Sequence, residues 1–130
     1  MPRFVRDVMS RSVTTCTPET TVRKAAVRMA ENHLNALVVV EQASGELEGI
    51  VSRSDLARVY GQDYDALKVK SVMTHQVETI IPDIPVSAAV LIMQDRRVDR
   101  LVIMHTPPAP QRPVGVLSLS DIVRDIAGLK

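Results

Sequence analysis

The chain has 130 residues, 45% of them hydrophobic and 24% charged, with a formal charge of +1, so it can build a packed interior but carries no basic surplus. That balance, with no Trp, one Phe and two Tyr, argues against nucleic-acid binding, which needs clustered cations or rings to stack on. The single Cys16, the absence of a signal-peptide core in "MPRFVRDVMS" and apolar runs far short of the roughly 20 residues that span a bilayer predict a soluble, cytoplasmic protein with no membrane partner.

In chain order, Val13–Cys16 is a short extended segment that ends near Pro18. Val22, Ala25, Ala26, Met29 and Ala30 then recur at helical spacing, with Thr20 or Thr21 as the start. "ALVVV" (Ala36–Val40) and "LEGIV" (Leu47–Val51) are short and β-branched, which suits buried strands. A second amphipathic helix carries Leu56, Val59 and Tyr60, and "GQDYDALK" (Gly61–Lys68) connects it to the second half of the chain.

The second half repeats this pattern. Met9 falls on Met73, Thr15 on Thr79, Pro18 on Pro82, Val22 on Val86, Ala25 on Ala89 and Met29 on Met93, all 64 positions apart. Pro85 lies near the first turn of the second copy's helix, and "RLVIM" (Arg100–Met104) and "PVGVL" (Pro113–Leu117) supply its strands. Beyond the proline-rich loop "HTPPAPQRP" the offset grows to 66, where a helix carrying Ile122, Val123 and Ile126 closes the copy. The expected fold is mixed α/β (α+β): tandem β-α-β-β-α repeats, residues 1–64 and 65–130, packed with pseudo-twofold symmetry. One repeat alone has a marginal core, and two that share an interface do not.

The most distinctive repeated stretch is "GIVSRSDLARV" (Gly49–Val59), which returns as "GVLSLSDIVRD" (Gly115–Asp125). Ser52 and Asp55, or Ser118 and Asp121, fit the S-x-x-D form of a helix capping box. The same junction suits a phosphorylated nucleoside. A helix start and two hydroxyls offer donors to phosphate, and a carboxylate accepts from both hydroxyls of a ribose. Capping and binding are compatible readings, and the glycine is suited to a close backbone approach.

Two copies of "VM…T…P", an alanine-rich helix, an "LVVV"-type strand and "G-apolar-x-S-x-S-D" resemble the cystathionine β-synthase (CBS) domain pair, or Bateman module, from about Val5 to about Ile126. The resemblance implies a regulatory module that binds adenosine-containing ligands in clefts between the repeats. It places Thr15 and Thr79 beside the base, Ser52, Ser54, Ser118 and Ser120 near phosphate, and Asp55 and Asp121 on the ribose. Arg100, in "DRL" before the second strand, becomes a phosphate ligand; the first copy has Ala36 there, so inequivalent clefts are expected. Arg6 and Lys70, ahead of each "VM", are secondary phosphate candidates.

His33, His75 and His105 are dispersed without metal-ligand spacing, and Cys16 is expected to be a small buried apolar residue. The serines have no catalytic base motif and there is no phosphate loop, so the expectation is no enzyme and no metal. The resemblance therefore implies a stand-alone sensor of AMP, ADP or ATP, dimeric as the family typically is, that requires no cofactor and is read by an unknown regulated protein. S-adenosylmethionine is the nearest alternative ligand, and a ligand-free dimerisation module is the alternative class.

Overall fold

A computed structural model of the chain describes residues 3–11, 13–109 and 111–129. Its elements follow the duplicated sequence: α1 (Val5–Val8), β1 (Thr15–Cys16), α2 (Val22–Glu31), β2 (Ala36–Val40), β3 (Leu47–Ser52), α3 (Arg53–Ala57), a 3-10 turn (Val69–Ser71), β4 (Thr79–Ile80), α4 (Val86–Arg96), β5 (Arg100–Met104), β6 (Pro113–Ser118) and α5 (Leu119–Ile126). The mixed α+β character and the tandem order agree with the sequence expectation. α1 and the 3-10 turn, 64 positions apart, are additions to it.

The chain divides into two compact units. The first is Thr14–Val77; the second joins Met1–Val13 to Glu78–Lys130. Each holds a three-stranded sheet with a parallel and an antiparallel pair, β1-β2-β3 in the first and β4-β5-β6 in the second. Alternation along the strands divides each sheet into two faces. In the first unit Cys16, Leu37, Val39 and Val51 pack with Ala25 and Met29 of α2 and with Val69. In the second, Leu101, Ile103 and Leu117 pack with Ala89 and Met93 of α4 and with Val5. Burying side chains of this size stabilises by about 1.5–3 kcal/mol apiece.

The helix boundaries have local causes. The hydroxyl of Thr21 accepts the backbone N–H of Lys24 at 3.2 Å and starts α2, while Pro85, with φ near −63°, starts α4. Both helices stop at a residue in the left-handed region that is not glycine, His33 (φ 54°) and Arg97 (φ 56°). The next N–H reaches back five residues in a Schellman closure, Leu34 to the Met29 carbonyl at 2.9 Å and Val98 to that of Met93 at 3.0 Å. With no glycine to announce it, the left-handed geometry of this stop is not signalled by the sequence.

Each unit is completed by a segment from the other sequence repeat. In the second unit Val5 and Arg6 donate backbone N–H groups to the carbonyls of Ile84 and Pro82, at 2.9 and 3.1 Å. In the first, Val69 and Lys70 donate to Thr20 and Pro18, at 2.8 and 3.0 Å. Val5 and Val69 are fully buried. Further along, Ser10 forms a reciprocal bridge with Val116 (3.0 Å both ways), and Thr74 forms the matching one with Ile50 (2.8 and 2.9 Å). These bridges explain the repeated glycine. A Cβ on Gly49 would lie 2.6 Å from the Thr74 carbonyl oxygen, and one on Gly115 would lie 2.7 Å from that of Ser10. The close backbone approach expected at this position is made by the protein's own exchanged segment.

Candidate functional site

β3 runs directly into α3, and β6 into α5, with Ser52 and Ser118 as the junction residues. Both capping boxes are fully formed. The Asp55 carboxylate accepts from the Ser52 N–H at 2.9 Å and from its hydroxyl at 3.0 Å, and the Asp55 N–H donates to Ser52 Oγ at 3.3 Å. Asp121 and Ser118 repeat this at 2.9, 3.1 and 3.3 Å. In each box Oδ2 of the aspartate is engaged by the cap, and Oδ1 is the oxygen left for other partners.

Those partners differ. Arg58 Nη1 donates to Asp55 Oδ1 at 2.7 Å, and the Asp55 side chain is 3% exposed. Arg124, the equivalent cation, stays 3.9 Å from Asp121 Oδ1, and the Asp121 side chain is 12% exposed. The two arginines were not singled out from the sequence, although the repeated D-x-x-R, "DLAR" and "DIVR", places each one helical turn beyond its aspartate. Ser54 Oγ lies 3.0 Å from Ser52 Oγ, and both Ser54 and Ser120 face solvent.

The strand register gathers several of the remaining sequence candidates. Thr15 pairs with Val38, Val38 with Ile50 and Ala36 with Ser52, so these five residues share the sheet face opposite the α2 core. In the second unit Thr79 pairs with Val102, Val102 with Val116 and Arg100 with Ser118. Directly opposed residues of an antiparallel pair hold their Cβ atoms about 5 Å apart. Arg100 therefore stands beside the Ser118 cap, on the face that also carries the exposed Thr79. Its side chain is 19% exposed, and its Nε and Nη2 meet Oδ1 and Oδ2 of Asp99 at 3.0 and 3.1 Å. Ala36, its counterpart, offers no charge.

The two secondary candidates are occupied elsewhere. Arg6 Nη1 donates to Asp83 at 2.7 Å, and Lys70 Nζ donates to Glu19 at 3.0 Å, a carboxylate that also takes Lys68 at 2.9 Å. These hydrogen bonds hold the Glu19 carboxyl below its usual range. Asp83 and Glu19 are themselves 64 positions apart, so the duplication preserves an ion pair that fastens each exchanged segment. Cys16 is buried, and burial pushes its thiol up from 9.0 to about 11, as befits a packing residue. His33, His75 and His105 are all exposed. Among the described residues no group of His, Cys, Asp or Glu could hold a metal ion, and no helix is long and apolar enough to cross a membrane.

A CBS domain model matches residues 5–61 and again 69–128. The chain is 32% identical over 127 residues to L-aspartate semialdehyde sulfurtransferase of Methanosarcina acetivorans, covering 95% of this chain and 24% of the relative. It is 30% identical over 120 residues to the CBS domain-containing protein YhcV of Bacillus subtilis, covering 91% of this chain and 81% of that one. Among solved structures, the CBS domain pair of protein MJ0100, in complex with 5′-methylthioadenosine and S-adenosyl-L-methionine, superposes with a TM-score of 0.85 over 98% of both chains at 24% identity. The chain spans 24%, 40% and 32% of the lengths of three curated relatives it matches. With both repeats matched by the same model and the duplicated fold reproduced, the chain belongs to the CBS domain family, as a tandem pair.

Proposed function

We propose that this CBS pair is a non-catalytic, cytoplasmic regulatory sensor that binds an adenosine-containing ligand at its S-x-S-D junctions, with a phosphate-bearing nucleotide (AMP, ADP or ATP) favoured in the second unit. The observation that carries this is the Arg100–Ser118 pair on one sheet face, with Thr79 on the same face and a solvent-facing Ser120. A guanidinium, two hydroxyls and the start of α5 form a donor set for phosphate. Asp121 Oδ1, 3.9 Å from its arginine, is the acceptor for ribose. Thr15, Ser52, Ser54 and Asp55 form the related set in the first unit. Ala36 leaves that set without the added cation, which suits an adenosyl ligand that carries no phosphate, such as 5′-methylthioadenosine or S-adenosylmethionine. A module of the same fold holds both of these compounds.

Mass spectrometry of small molecules released from heat-denatured protein identifies any co-purifying ligand. Calorimetry with AMP, ATP and S-adenosylmethionine then measures affinity. Binding of AMP or ATP, lost on Asp121→Ala with the fold intact, is the expected result. Flat traces for all three compounds overturn the reading in favour of a ligand-free interaction module.

Leu119, Val123 and Ile126 lie 49%, 64% and 81% exposed along α5. This apolar stripe supports assembly as a homodimer, through which ligand state is passed to a regulated protein. Light scattering is expected to give twice the chain mass, and the chain mass for Val123→Asp.

A further inference from the structure

We infer that Asp99 is a built-in competitor for the phosphate position, a specificity-determining residue that sets how strongly the second unit prefers an anionic ligand. The inference rests on the proposed adenosine site and deepens it. Asp99 and Arg100 replace Asn35 and Ala36 of the first unit, so the cation and its carboxylate occur together in one repeat and are both missing from the other. The pair is bidentate, through the Nε–Nη2 edge that also matches a phosphate, at 3.0 and 3.1 Å.

The two partners are unequally fixed. The Arg100 side chain is 19% exposed and belongs to the sheet, whereas the Asp99 side chain is 64% exposed. The Asp99 backbone is fixed for a separate reason, since its carbonyl accepts the N–H of Leu119 at 3.0 Å at the start of α5. Asn35 does the same for Arg53, also at 3.0 Å, so this backbone role needs no acidic side chain. What the carboxylate adds is an anion on Arg100 that an incoming phosphate must displace and then tolerate nearby. Release is cheap, because an exposed carboxylate regains its hydration as it lets go. The pair thus lowers affinity for any phosphate-bearing ligand without closing the site, and leaves an uncharged nucleoside unaffected.

The test is calorimetry with AMP and with adenosine on the full chain, for the wild type, Asp99→Asn, Arg100→Gln and the double variant. Asp99→Asn keeps the size and the backbone carbonyl, and a native thermal transition confirms folding. AMP is expected to bind Asp99→Asn about threefold to fivefold more tightly than the wild type, with adenosine unchanged. Arg100→Gln is expected to weaken AMP and to cancel the gain in the double variant. If wild type binds AMP and Asp99→Asn binds it equally or more weakly, Asp99 orients Arg100 and the inference is overturned. If neither compound binds any of the four proteins, the adenosine site itself fails, and this inference with it.

Discussion

The two S-x-S-D junctions make nearly identical caps and differ in how the charges around them are placed and paired. Ser52 with Asp55, and Ser118 with Asp121, make the same three bonds to within 0.1 Å. Around that shared frame the first unit has Ala36 across the ladder and a tight Arg58–Asp55 pair at 2.7 Å. The second has Arg100 and a loose Arg124–Asp121 pair at 3.9 Å. Folding requires the cap in both copies, because a helix that begins straight out of a strand leaves N–H groups to satisfy. It places no such demand on the flanking charges, which are therefore where the two copies diverged.

The strongest way to break this comparison is at the glycines. If the units share one frame, Gly49→Ala and Gly115→Ala should each cost about 3 kcal/mol in urea unfolding, since each new Cβ meets a backbone oxygen of an exchanged segment. A marked inequality between the two would show that only one exchanged segment is held firmly.

A smaller effect separates the units by pH. Cys16 of the first unit corresponds to Ile80 of the second. With its thiol raised to about 11, the folded state keeps a proton that the unfolded state releases from about pH 9 upward. The contribution of Cys16 to stability should therefore be level below pH 9 and fall between about pH 9 and 11, with a slope of at most ~1.4 kcal/mol per pH unit. Denaturant midpoints of Cys16→Val across that window should lose this component of the decline; an unchanged slope contradicts the assignment.

The cap arginines sharpen the comparison further. Arg58→Ala strips a 2.7 Å partner from a buried carboxylate and should cost about 1–2 kcal/mol, whereas Arg124→Ala should cost under about 0.5 kcal/mol. Equal costs would mean that the two aspartates are equally engaged in solution. The smallest effect is symmetric. His33→Gly and Arg97→Gly each relieve a left-handed non-glycine residue and should gain about 0.5 kcal/mol after the entropy of the unfolded glycine is counted. Thermal shifts of both variants in the stabilising direction are the expected readout.

Much of this was legible in the residues. The offsets of 64 and 66 matched the strands of the two sheets, and the apolar spacing of Val22, Ala25 and Met29 located the helix face that packs on the first. Ser52 and Asp55 announced their capping box because such a bond is local, closed within three residues of chain. The Schellman stops at His33 and Arg97 were hidden because neither side chain signals positive φ. That Arg6 and Lys70 meet Asp83 and Glu19, far away along the chain, could not be read from the residues, because such partners are brought together only by the fold.

The sequence by itself determined that the chain is a duplicated CBS pair, the β-α-β-β-α order of each copy, and that Arg100 has no counterpart in the first copy. These conclusions rest on periodicity, local capping and side-by-side identity, none of which needs the path of the chain in space. Only the tertiary structure decided that Val5–Ser10 and Val69–Thr74 complete units they do not belong to in sequence, and so why Gly49 and Gly115 must be glycine. It alone set Asp99 against Arg100 and Arg58 against Asp55, because a charged side chain is free to turn towards several partners and only packing and register select one.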